Sequence, residues 1–375
     1  MSVTTSGLPE LNLGLLPEVA ARLAARAGEH DRDATFPYDG IEEVHAAGLL
    51  TATVGREYGG AGAGLGTTVD ILHLLGAADP SVALIAAMTL FAHVGAGQWP
   101  EAYYRELLAD SAAGPALVNT LRVEPDLGTP ARGGMPATLA RTDGDSWLLT
   151  GHKIYATGAP GLRWLAVWAG TDEDPPRQGT FLVRADTPGI KIEQTWDHLG
   201  LRASRSDDVL FEDVRVDREA FFTTVPPDLR VWNNLGLTAL YLGVAEAARD
   251  WLVEFLHERT PSALGRPLAT LPRFQSAVGE IEAELSAAAD LVTALAERFD
   301  AGDDDLADRS AAAKLVGTRA AIDAVQRAVA LVGNNALTRR NPLERHLRDV
   351  LAARVHTPQD DSIVATLGAA ALDRP

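Results

Sequence analysis

The chain has 375 residues and a formal net charge of −18, a length that suits about two or three folding units. Such an acidic chain, with no Lys- or Arg-rich run to offset it, repels phosphate backbones and anionic lipid, so nucleic acid is not expected as a partner. It contains no cysteine, which excludes disulfides, thiolate metal sites and thiol nucleophiles. Redox chemistry would therefore need a bound organic cofactor or a metal held without thiolates.

The amino-terminal part of the chain is predicted to be helical, because apolar residues recur at three- and four-residue spacing between Leu15 and Ala113. The first 21 residues contain neither Lys nor Arg, so the charged start of a secretory signal is missing and a cytoplasmic location is expected. The most apolar stretch, Ser81 to Gly97, carries His93 and is shorter than the about 20 apolar residues that span a bilayer. We interpret it as a buried core helix and expect no membrane partner.

A β domain is predicted next, because the apolar spacing changes to a two-residue alternation near Pro115. Asp143-Gly144 is a hairpin signal, and Gly, Pro and Asp clusters separate the strand-like runs that follow it. These runs are Trp164 to Ala169, Thr180 to Arg184, Gly189 to Glu193 and Val209 to Val216. They fit a compact sheet or barrel that ends near Phe222.

The remainder of the chain is predicted to form long antiparallel helices, because its pattern is amphipathic and almost free of strand signals. The stretches are Trp232 to Glu258, Leu271 to Arg298, Leu306 to Val332 and Leu343 to Val355. We therefore predict an α+β protein with an amino-terminal helical domain (residues 1–114), a small central β domain (115–222) and a carboxy-terminal four-helix bundle (223–375).

Motifs at separated points along nearly the whole chain resemble the acyl-CoA dehydrogenase superfamily. Two segments look like the family's amino-terminal signature, two are similar to its EPxxGS and nGxKxxxT elements, and two are similar to its GLRxS and FxDVxV elements. In that order they are Glu57–Gly62, Ala78–Ser81, Glu124–Thr129, Leu149–Gly158, Leu199–Ser204 and Phe211–Val216. The resemblance implies the acyl-CoA dehydrogenase fold, a flavin, and a homotetramer or at least a dimer, because the family builds each flavin site from two subunits.

The resemblance also implies which residues hold the flavin. In the family the EPxxGS and nGxKxxxT elements lie against the isoalloxazine ring, where Thr157 is the candidate hydroxyl contact and Tyr155 and Gly128 are its companions. Arg259 corresponds to an arginine that reaches the flavin's pyrophosphate across a subunit interface, and Gln275 belongs to the same carboxy-terminal segment. From the residues alone, Thr157 also fits an ordinary strand threonine, and Arg259 also fits a solvated arginine near a helix end.

A catalytic carboxylate of the dehydrogenases is missing at its expected places. These enzymes need a carboxylate base to remove the α-proton of the substrate. The two family positions for it fall on Thr357 and Asn233, which cannot act as that base near neutral pH and which we retain as substrate-binding candidates. Asp360 and Asp361, one helical turn beyond Thr357, could substitute, so a dehydrogenase or oxidase with a relocated base stays open.

The segment Val355 to Asp360 resembles instead the H-T-x-x-D segment of dibenzothiophene monooxygenase and other group D flavin monooxygenases. In those enzymes reduced flavin reacts with O2 to give a C4a-(hydro)peroxide, and an imidazole suits protonation of its distal oxygen or a hydrogen bond to it. The resemblance makes His356 the leading catalytic candidate and His93 a second one. Their structural alternatives are a solvated histidine at a helix end and a satisfied core histidine.

The identity of the flavin is less constrained than its presence. Gly333 to Ala336 reads GNNA where the dehydrogenases carry a GGxG turn that accommodates the adenosine half of FAD. This departure permits FMN, the flavin that dibenzothiophene monooxygenase takes reduced from a partner reductase, although asparagine tolerates positive φ and could preserve the turn. The sequence shows no nicotinamide-binding βαβ unit, so a separate flavin reductase is implied. It shows no HExxH-like ligand spacing, so no metal site is expected.

These observations favour a two-component flavin monooxygenase that uses reduced FMN or FAD and O2 to oxygenate a small organic substrate at carbon, nitrogen or sulfur. One alternative is an FAD-dependent acyl-CoA dehydrogenase or oxidase that acts on a CH–CH group. The other is a catalytically inactive family member that serves as a subunit or binding module.

Overall fold

The computed structural model describes residues 7–127, 134–223, 228–303 and 305–373. Its amino-terminal part is helical, as the apolar spacing predicts. The helices are α1 (Leu16–Asp33), α2 (Tyr38–Ala46), α3 (Leu65–Ala78), α4 (Pro80–Gly95) and α5 (Glu101–Ala113). Gly128, one of the cofactor candidates, lies outside the described residues.

Helix α4 runs through the core of this part. Asp79 caps its amino terminus, because the Asp79 carboxylate accepts hydrogen bonds from the backbone amides of Ser81 and Val82 at 2.9 and 3.3 Å. Among the described residues one segment, Pro80–Gln98, is long and apolar enough to cross a membrane by composition, but 83% of its apolar window is buried inside the protein. The interpretation of this stretch as a buried core helix is confirmed.

The central part forms a mixed sheet, in which eight strands lie within the described residues. They are β1 (Leu117–Leu121), β2 (Leu139–Asp143), β3 (Ser146–Ala156), β4 (Leu162–Thr171), β5 (Gln178–Arg184), β6 (Ile190–Glu193), β7 (Asp207–Asp217) and β8 (Phe221–Phe222). The order is β6-β7-β3-β2-β4-β5-β8, and β1 pairs with β4 in parallel. The predicted hairpin joins β2 to β3, where Asp143 lies opposite Ser146 and Gly144 takes a φ of +60°, a conformation that suits glycine in a tight turn.

The carboxy-terminal part is helical. Its helices are α6 (Leu229–Glu258), α7 (Pro272–Asp300), α8 (Ala307–Val332), α9 (Asn334–Leu337), α10 (Leu343–Val350) and α11 (Asp360–Leu372). The predicted long helices are confirmed, except that the last predicted stretch is α-helical only to Val350 and continues as a 3-10 turn to Arg354. Helix α11 is absent from the sequence analysis, because only Ile363 is buried along it and no apolar stripe marks it.

Two close backbone approaches hold the three parts together. Helices α3 and α6 meet at a glycine, since a methyl group on Gly243 would lie 2.1 Å from the carbonyl oxygen of His73. The loop between β6 and β7 meets α10 at another, since a methyl group on Gly200 would lie 2.2 Å from the carbonyl oxygen of Arg348. The glycine of the GLR motif is therefore explained by packing between the sheet and the helical bundle.

Candidate functional site

Thr157 lies just after β3 and is almost fully buried. Its backbone carbonyl accepts a hydrogen bond from the Asn119 amide at 3.1 Å. Its hydroxyl accepts a hydrogen bond from the Ser206 hydroxyl at 3.0 Å, and Ser206 in turn lies 2.9 Å from the Ser204 hydroxyl. Because Thr157 Oγ1 is the acceptor in this chain of hydroxyls, its own proton remains available for a ligand.

Tyr155 lies two residues earlier and is about half exposed. Its φ of +59° is a strained backbone conformation for a bulky residue, of the kind that concentrates at functional sites. Its ring is edge-on to Trp196 and His198, at centroid distances of 6.3 and 5.8 Å. Trp196 and His198 stack on each other at 3.6 Å, and burial lowers the pKa of His198. These three rings form an aromatic cluster, of which the sequence analysis identified only Tyr155.

Glu124 of the EPxxGS element and Lys153 of the nGxKxxxT element bind each other in the interior. Lys153 Nζ donates to Glu124 Oε1 at 2.6 Å, and both side chains are almost fully buried. Glu124 also accepts the backbone amides of Ala137 and Thr138 at 2.7 and 3.0 Å. Burial lowers the pKa of Lys153 to about 8, although Glu124 opposes that shift. The glutamate and lysine of these motifs therefore tie the segments before β2 and within β3 together.

His356 lies in the turn that precedes α11. The residue is partly exposed, but its Nε2 atom is buried and has no hydrogen-bond partner among the described residues. Its ring lies 5.7 Å from the ring of Tyr241, whose buried hydroxyl is likewise unpartnered within the described part of the chain. Burial, and secondly the charge of Lys314, lower the pKa of His356 to about 4. The imidazole is therefore neutral near pH 7.

The two positions at which a dehydrogenase base would stand are in contact with each other. The Asn233 amide donates a hydrogen bond to the backbone carbonyl of Thr357 at 2.9 Å. Asp360, the nearest substitute carboxylate, accepts a hydrogen bond from Arg319 at 2.9 Å in an ion pair, and Asp361 is exposed. Neither expected position presents a carboxylate, and the nearest one is already engaged.

His93 is buried in α4, and its Nδ1 lies 3.2 Å from the Tyr104 hydroxyl. Burial lowers the pKa of His93 to about 4, and its buried Nε2 has no partner among the described residues. The same helix reaches the Thr157 turn, because a methyl group on Gly158 would lie 3.5 Å from the Ile85 side chain. The described contacts do not join His93 to His356, which lies against α6 and α8 instead.

Arg259 and Arg273 line a cavity of about 380 Å³ between α6, α7 and α8. Apolar side chains form most of its wall, and Arg273 lies 4.4 Å over the Phe274 ring. Within the described part of the chain neither guanidinium has a carboxylate partner, so both are available to an anion such as a phosphate. Gln275 is not a lining residue of this cavity; its amide donates to a backbone carbonyl of the preceding turn at 3.1 Å.

Asn335 lines the same cavity, so the structure brings Arg259 together with the GNNA segment. Gly333 keeps the positive φ of a turn, at +57°, while the two asparagines begin the short helix α9. The Asn335 amide donates to the carbonyl of Val332 at 3.1 Å. The turn is therefore preserved by its remaining glycine, and not by an asparagine with positive φ.

Comparison with known proteins places the chain in a family. The models of the acyl-CoA dehydrogenase amino-terminal, middle and carboxy-terminal domains match residues 18–103, 121–214 and 235–360. YdbM of Bacillus subtilis, named as a putative acyl-CoA dehydrogenase, is 31% identical over 363 residues, which cover 95% of each chain. The chain belongs to the acyl-CoA dehydrogenase family.

Two solved structures are similar to the chain in sequence and fold over nearly its whole length. KijD3, in complex with FMN and dTDP-3-amino-2,3,6-trideoxy-4-keto-3-methyl-D-glucose, is 29% identical, with a TM-score of 0.83 and coverage of 99% of this chain and 97% of that one. A nitrososynthase from Micromonospora carbonacea var. africana is 27% identical, with a TM-score of 0.83 over the whole of both chains. The predicted family and fold are confirmed, and this acyl-CoA dehydrogenase-like chain is a flavin oxidoreductase.

The structure adds residues that sequence reasoning missed, chiefly Lys314, Tyr241 and Ser206. Lys314 leaves a trace in the sequence, because it interrupts a face of small residues on α8, where Ala313, Lys314 and Gly317 are all buried. A lysine within an apolar stripe is unusual unless its ammonium group has partners. Tyr241 and Ser206 leave no such trace, since a tyrosine in a core helix and a serine beside a strand are both ordinary.

Proposed function

We propose that this family member is a flavin-dependent monooxygenase that uses reduced flavin and O2 to oxygenate a small organic substrate. The observation that carries the proposal is the pair of base positions, which hold Asn233 and Thr357 joined by a hydrogen bond. Removal of an α-proton needs a carboxylate there. Oxygen activation needs instead a hydrogen-bonding group near the flavin, and the adjacent His356 has a buried, unpartnered Nε2 within the described part of the chain.

The flavin is proposed to lie against Thr157 and Tyr155, with its phosphate bound by Arg259. The available hydroxyl proton of Thr157 suits the polar edge of the ring, and the Arg259 guanidinium, which has no carboxylate partner within the described residues, suits the phosphate. When bound, a reduced flavin would supply the two electrons with which one oxygen atom of O2 enters the substrate and the other leaves as water. Gln275 is proposed to support the flavin site indirectly, because its amide donates to the backbone carbonyl of Ala269 and so holds the turn that precedes α7.

His356 is proposed to donate a hydrogen bond from Nε2 while it stays uncharged. Its lowered pKa of about 4 makes a resident imidazolium near pH 7 unfavourable, so it acts through the N–H of the neutral ring. His93, the second catalytic candidate, likewise has a lowered pKa and a buried Nε2 atom with no hydrogen-bond partner among the described residues. Asn233 and Thr357, beside His356, are proposed to contact the substrate.

The flavin is proposed to be FMN or FAD, supplied in reduced form by a separate reductase. The FMN complex of KijD3 supports FMN, and the open cavity beside Arg259 leaves room for a larger flavin. A homotetramer, or at least a dimer, is proposed because the family builds each flavin site from two subunits, and no contact within the described residues joins the Arg259 cavity to Thr157 of the same chain. Exposed Val316 and Val364 on the bundle offer apolar contacts for such an assembly.

Nitrogen is the substrate atom that we favour over carbon and sulfur. The nitrososynthase is 27% identical over its whole length and is named for oxygenation at nitrogen. The sugar in the KijD3 complex carries an amino group. The substrate class is therefore proposed to be a small organic amine.

The deciding experiment is anaerobic mixing of the protein and reduced FMN with oxygenated buffer, followed by flavin absorbance and repeated with FAD. A monooxygenase site should delay the appearance of oxidised flavin relative to free reduced flavin. His356→Gln should shorten that delay and lower turnover with a reductase and substrate. Reoxidation at the rate of free flavin, or wild-type turnover of His356→Gln, would reject the proposed site.

A dehydrogenase with a relocated base is the second candidate, because YdbM is named as a putative acyl-CoA dehydrogenase and is 31% identical. It requires Asp360 to leave its ion pair with Arg319 or Asp361 to turn inward. Bleaching of bound oxidised flavin by an acyl thioester, without a reductase, would establish it. If neither FMN nor FAD binds in either redox state, the chain is an inactive family member that serves as a subunit or binding module.

A further inference from the structure

Three consecutive backbone carbonyls around His356 are each held by a side chain from another helix. Lys314 Nζ, from α8, donates to the carbonyls of His356 and Pro358 at 3.1 and 2.9 Å. The Asn233 amide, from α6, donates to the carbonyl of Thr357 at 2.9 Å. These bonds fix the backbone of Thr357, one of the two dehydrogenase base positions, and of the residues on either side of it.

Lys314 is an unusual residue for this place. Its side chain is almost fully buried, and within the described residues no carboxylate lies in ion-pair distance of it, because Asp360 pairs with Arg319. Burial lowers the pKa of Lys314 to about 8, an effect that Asp360 opposes. A helix-packing position without a polar task would be filled more stably by an apolar side chain, since a buried ammonium group must be desolvated.

The position of the imidazole depends on this turn. The described contact of the His356 ring is the Tyr241 ring, at a centroid distance of 5.7 Å and a tilted angle, which is too loose to fix the orientation of the imidazole. Lys314 donates to the carbonyl of His356 itself and to that of Pro358, so it fixes the backbone next to the Cα atom from which the imidazole extends. The ammonium charge also disfavours a proton on the ring.

We propose that Lys314 is a positioning residue for His356, which holds the imidazole buried and uncharged through the backbone of residues 356–358. The proposal rests on the proposed function, because it assigns Lys314 to the same site. In this role Lys314 touches neither flavin nor substrate and acts only through His356.

Other groups around the ring also bear on its charge. Tyr241 faces it from α6, and burial, followed by the smaller effect of the charge of Asp349 on α10, raises the pKa of Tyr241. Asp360, at the start of α11, interacts with Lys314 and is held by Arg319. A change at Lys314 must therefore be compared with a change that alters only this outer ion pair.

The test is titration of the histidine ring resonances by NMR in the flavin-free full chain with isotope-labelled histidine, where His356→Gln identifies the resonance. Lys314→Met retains the aliphatic stem and removes the donors and the charge. We expect the midpoint of His356 to move upward by about one pH unit, a tenfold change in proton affinity. Lys314→Arg, which keeps charge and donors, should restore most of the wild-type midpoint.

Arg319→Met is the matched control, because it removes a cation from the same helix but no bond to the turn. Arg319→Met should shift the His356 midpoint by only a small fraction of the shift that Lys314→Met causes. An unchanged midpoint in folded Lys314→Met would overturn the proposal. If Lys314→Met does not fold, Lys314→Gln is titrated in its place, and the same two outcomes decide.

The titration needs neither flavin nor turnover, so the two proposals fail separately. If His356→Gln keeps wild-type turnover while Lys314→Met shifts the midpoint, the monooxygenase assignment fails and the positioning contact stands. If the midpoint does not move in Lys314→Met while His356→Gln loses turnover, the positioning role of Lys314 fails and the monooxygenase assignment stands. With both correct, Lys314→Met should lower kcat and leave the dissociation constant of reduced flavin unchanged.

Discussion

Asp349 of α10 accepts a hydrogen bond from the backbone amide of Leu201 at 2.7 Å, and this bond joins the GLR loop before β7 to the helical bundle. The Asp349 carboxyl is buried, and burial raises its pKa to about 7, although the Leu201 amide opposes the shift. The folded protein therefore keeps much of this carboxyl protonated near neutral pH. This one contact joins two segments of the chain that lie 148 positions apart.

Asp349→Asn is expected to keep an acceptor for the Leu201 amide and to remove the titration. In the wild type the folded pKa is raised, so the contribution of Asp349 to the free energy of unfolding falls as pH rises from 3.8 to about 7. In denaturant titrations the asparagine variant should therefore gain stability relative to the wild type as pH rises from 3.8 to about 7, and the difference should stay constant above that range. Asp349→Ala should lower the free energy of unfolding by about 1–3 kcal/mol, because the variant leaves the buried Leu201 amide without its side-chain acceptor. A stability difference that does not vary with pH would contradict the raised pKa.

Thr157→Val is expected to weaken flavin binding about tenfold, because it removes one hydrogen bond to the ring. The change is nearly isosteric, so the fold should be retained. Thr150→Val is the matched control: Thr150 lies on β3, the strand that ends just before Thr157, and its hydroxyl donates to the exposed Asp213 at 2.9 Å. Titrations of reduced FMN and FAD under anaerobic conditions compare the two variants. Equal affinities of Thr157→Val and the wild type would assign Thr157 to the strand alone.

The order of elements was predictable because each part of the chain has a clear apolar period. Helices α7 and α8 show the helical spacing over many turns, and the second half of α6 shows it from Ala245 to Leu256. The Asp143-Gly144 turn identifies the β2–β3 hairpin. Helix α11 was not predictable in this way, because it buries only Ile363. A helix that exposes most of its residues carries no periodic signal, whatever covers it in an assembly.

The candidate site was predictable only where a motif carried it. Thr157 follows from the nGxKxxxT element, but the hydrogen bond that leaves its proton free comes from Ser206, 49 positions later. The contact between Lys314 and the carbonyl of His356 spans 42 positions and two helices. No local pattern specifies such pairs, because they depend on how α8 packs against the turn before α11.

Arg259→Met is expected to reduce flavin affinity by tenfold or more at low ionic strength, since a charge-assisted hydrogen bond to phosphate contributes about 1.5–3 kcal/mol. The wild-type affinity should fall as salt is added, and the variant should show a weaker salt dependence. Arg327→Met is the control, because Arg327 is an exposed residue of α8 that pairs with Glu280 and Glu284. Riboflavin, which has no phosphate, should bind both variants equally. A loss with riboflavin as well would point to damaged packing in the cavity.

The protein should lose stability in mild acid, because three buried histidines have lowered pKa values. Burial lowers the pKa of His346 to about 3, and those of His93 and His356 to about 4, from an ordinary value of 6.5. At these three histidines the unfolded chain therefore binds more protons than the folded one below pH 6.5. Since stability rises with pH wherever the unfolded state binds more protons, the contribution of these histidines to the free energy of unfolding falls as pH decreases from 6.5 toward these values.

His346→Gln tests this account outside the catalytic candidates. The variant should lose less stability than the wild type on acidification, by up to about 1.4 kcal/mol per pH unit, the effect of one proton. Thermal and denaturant unfolding at a series of pH values measures the slope, which is independent of any constant cost of the substitution. His257→Gln is the control, because His257 is an exposed residue of α6 and should leave the slope unchanged. Equal slopes for His346→Gln and the wild type would mean that the folded protein protonates His346 as readily as the unfolded chain does.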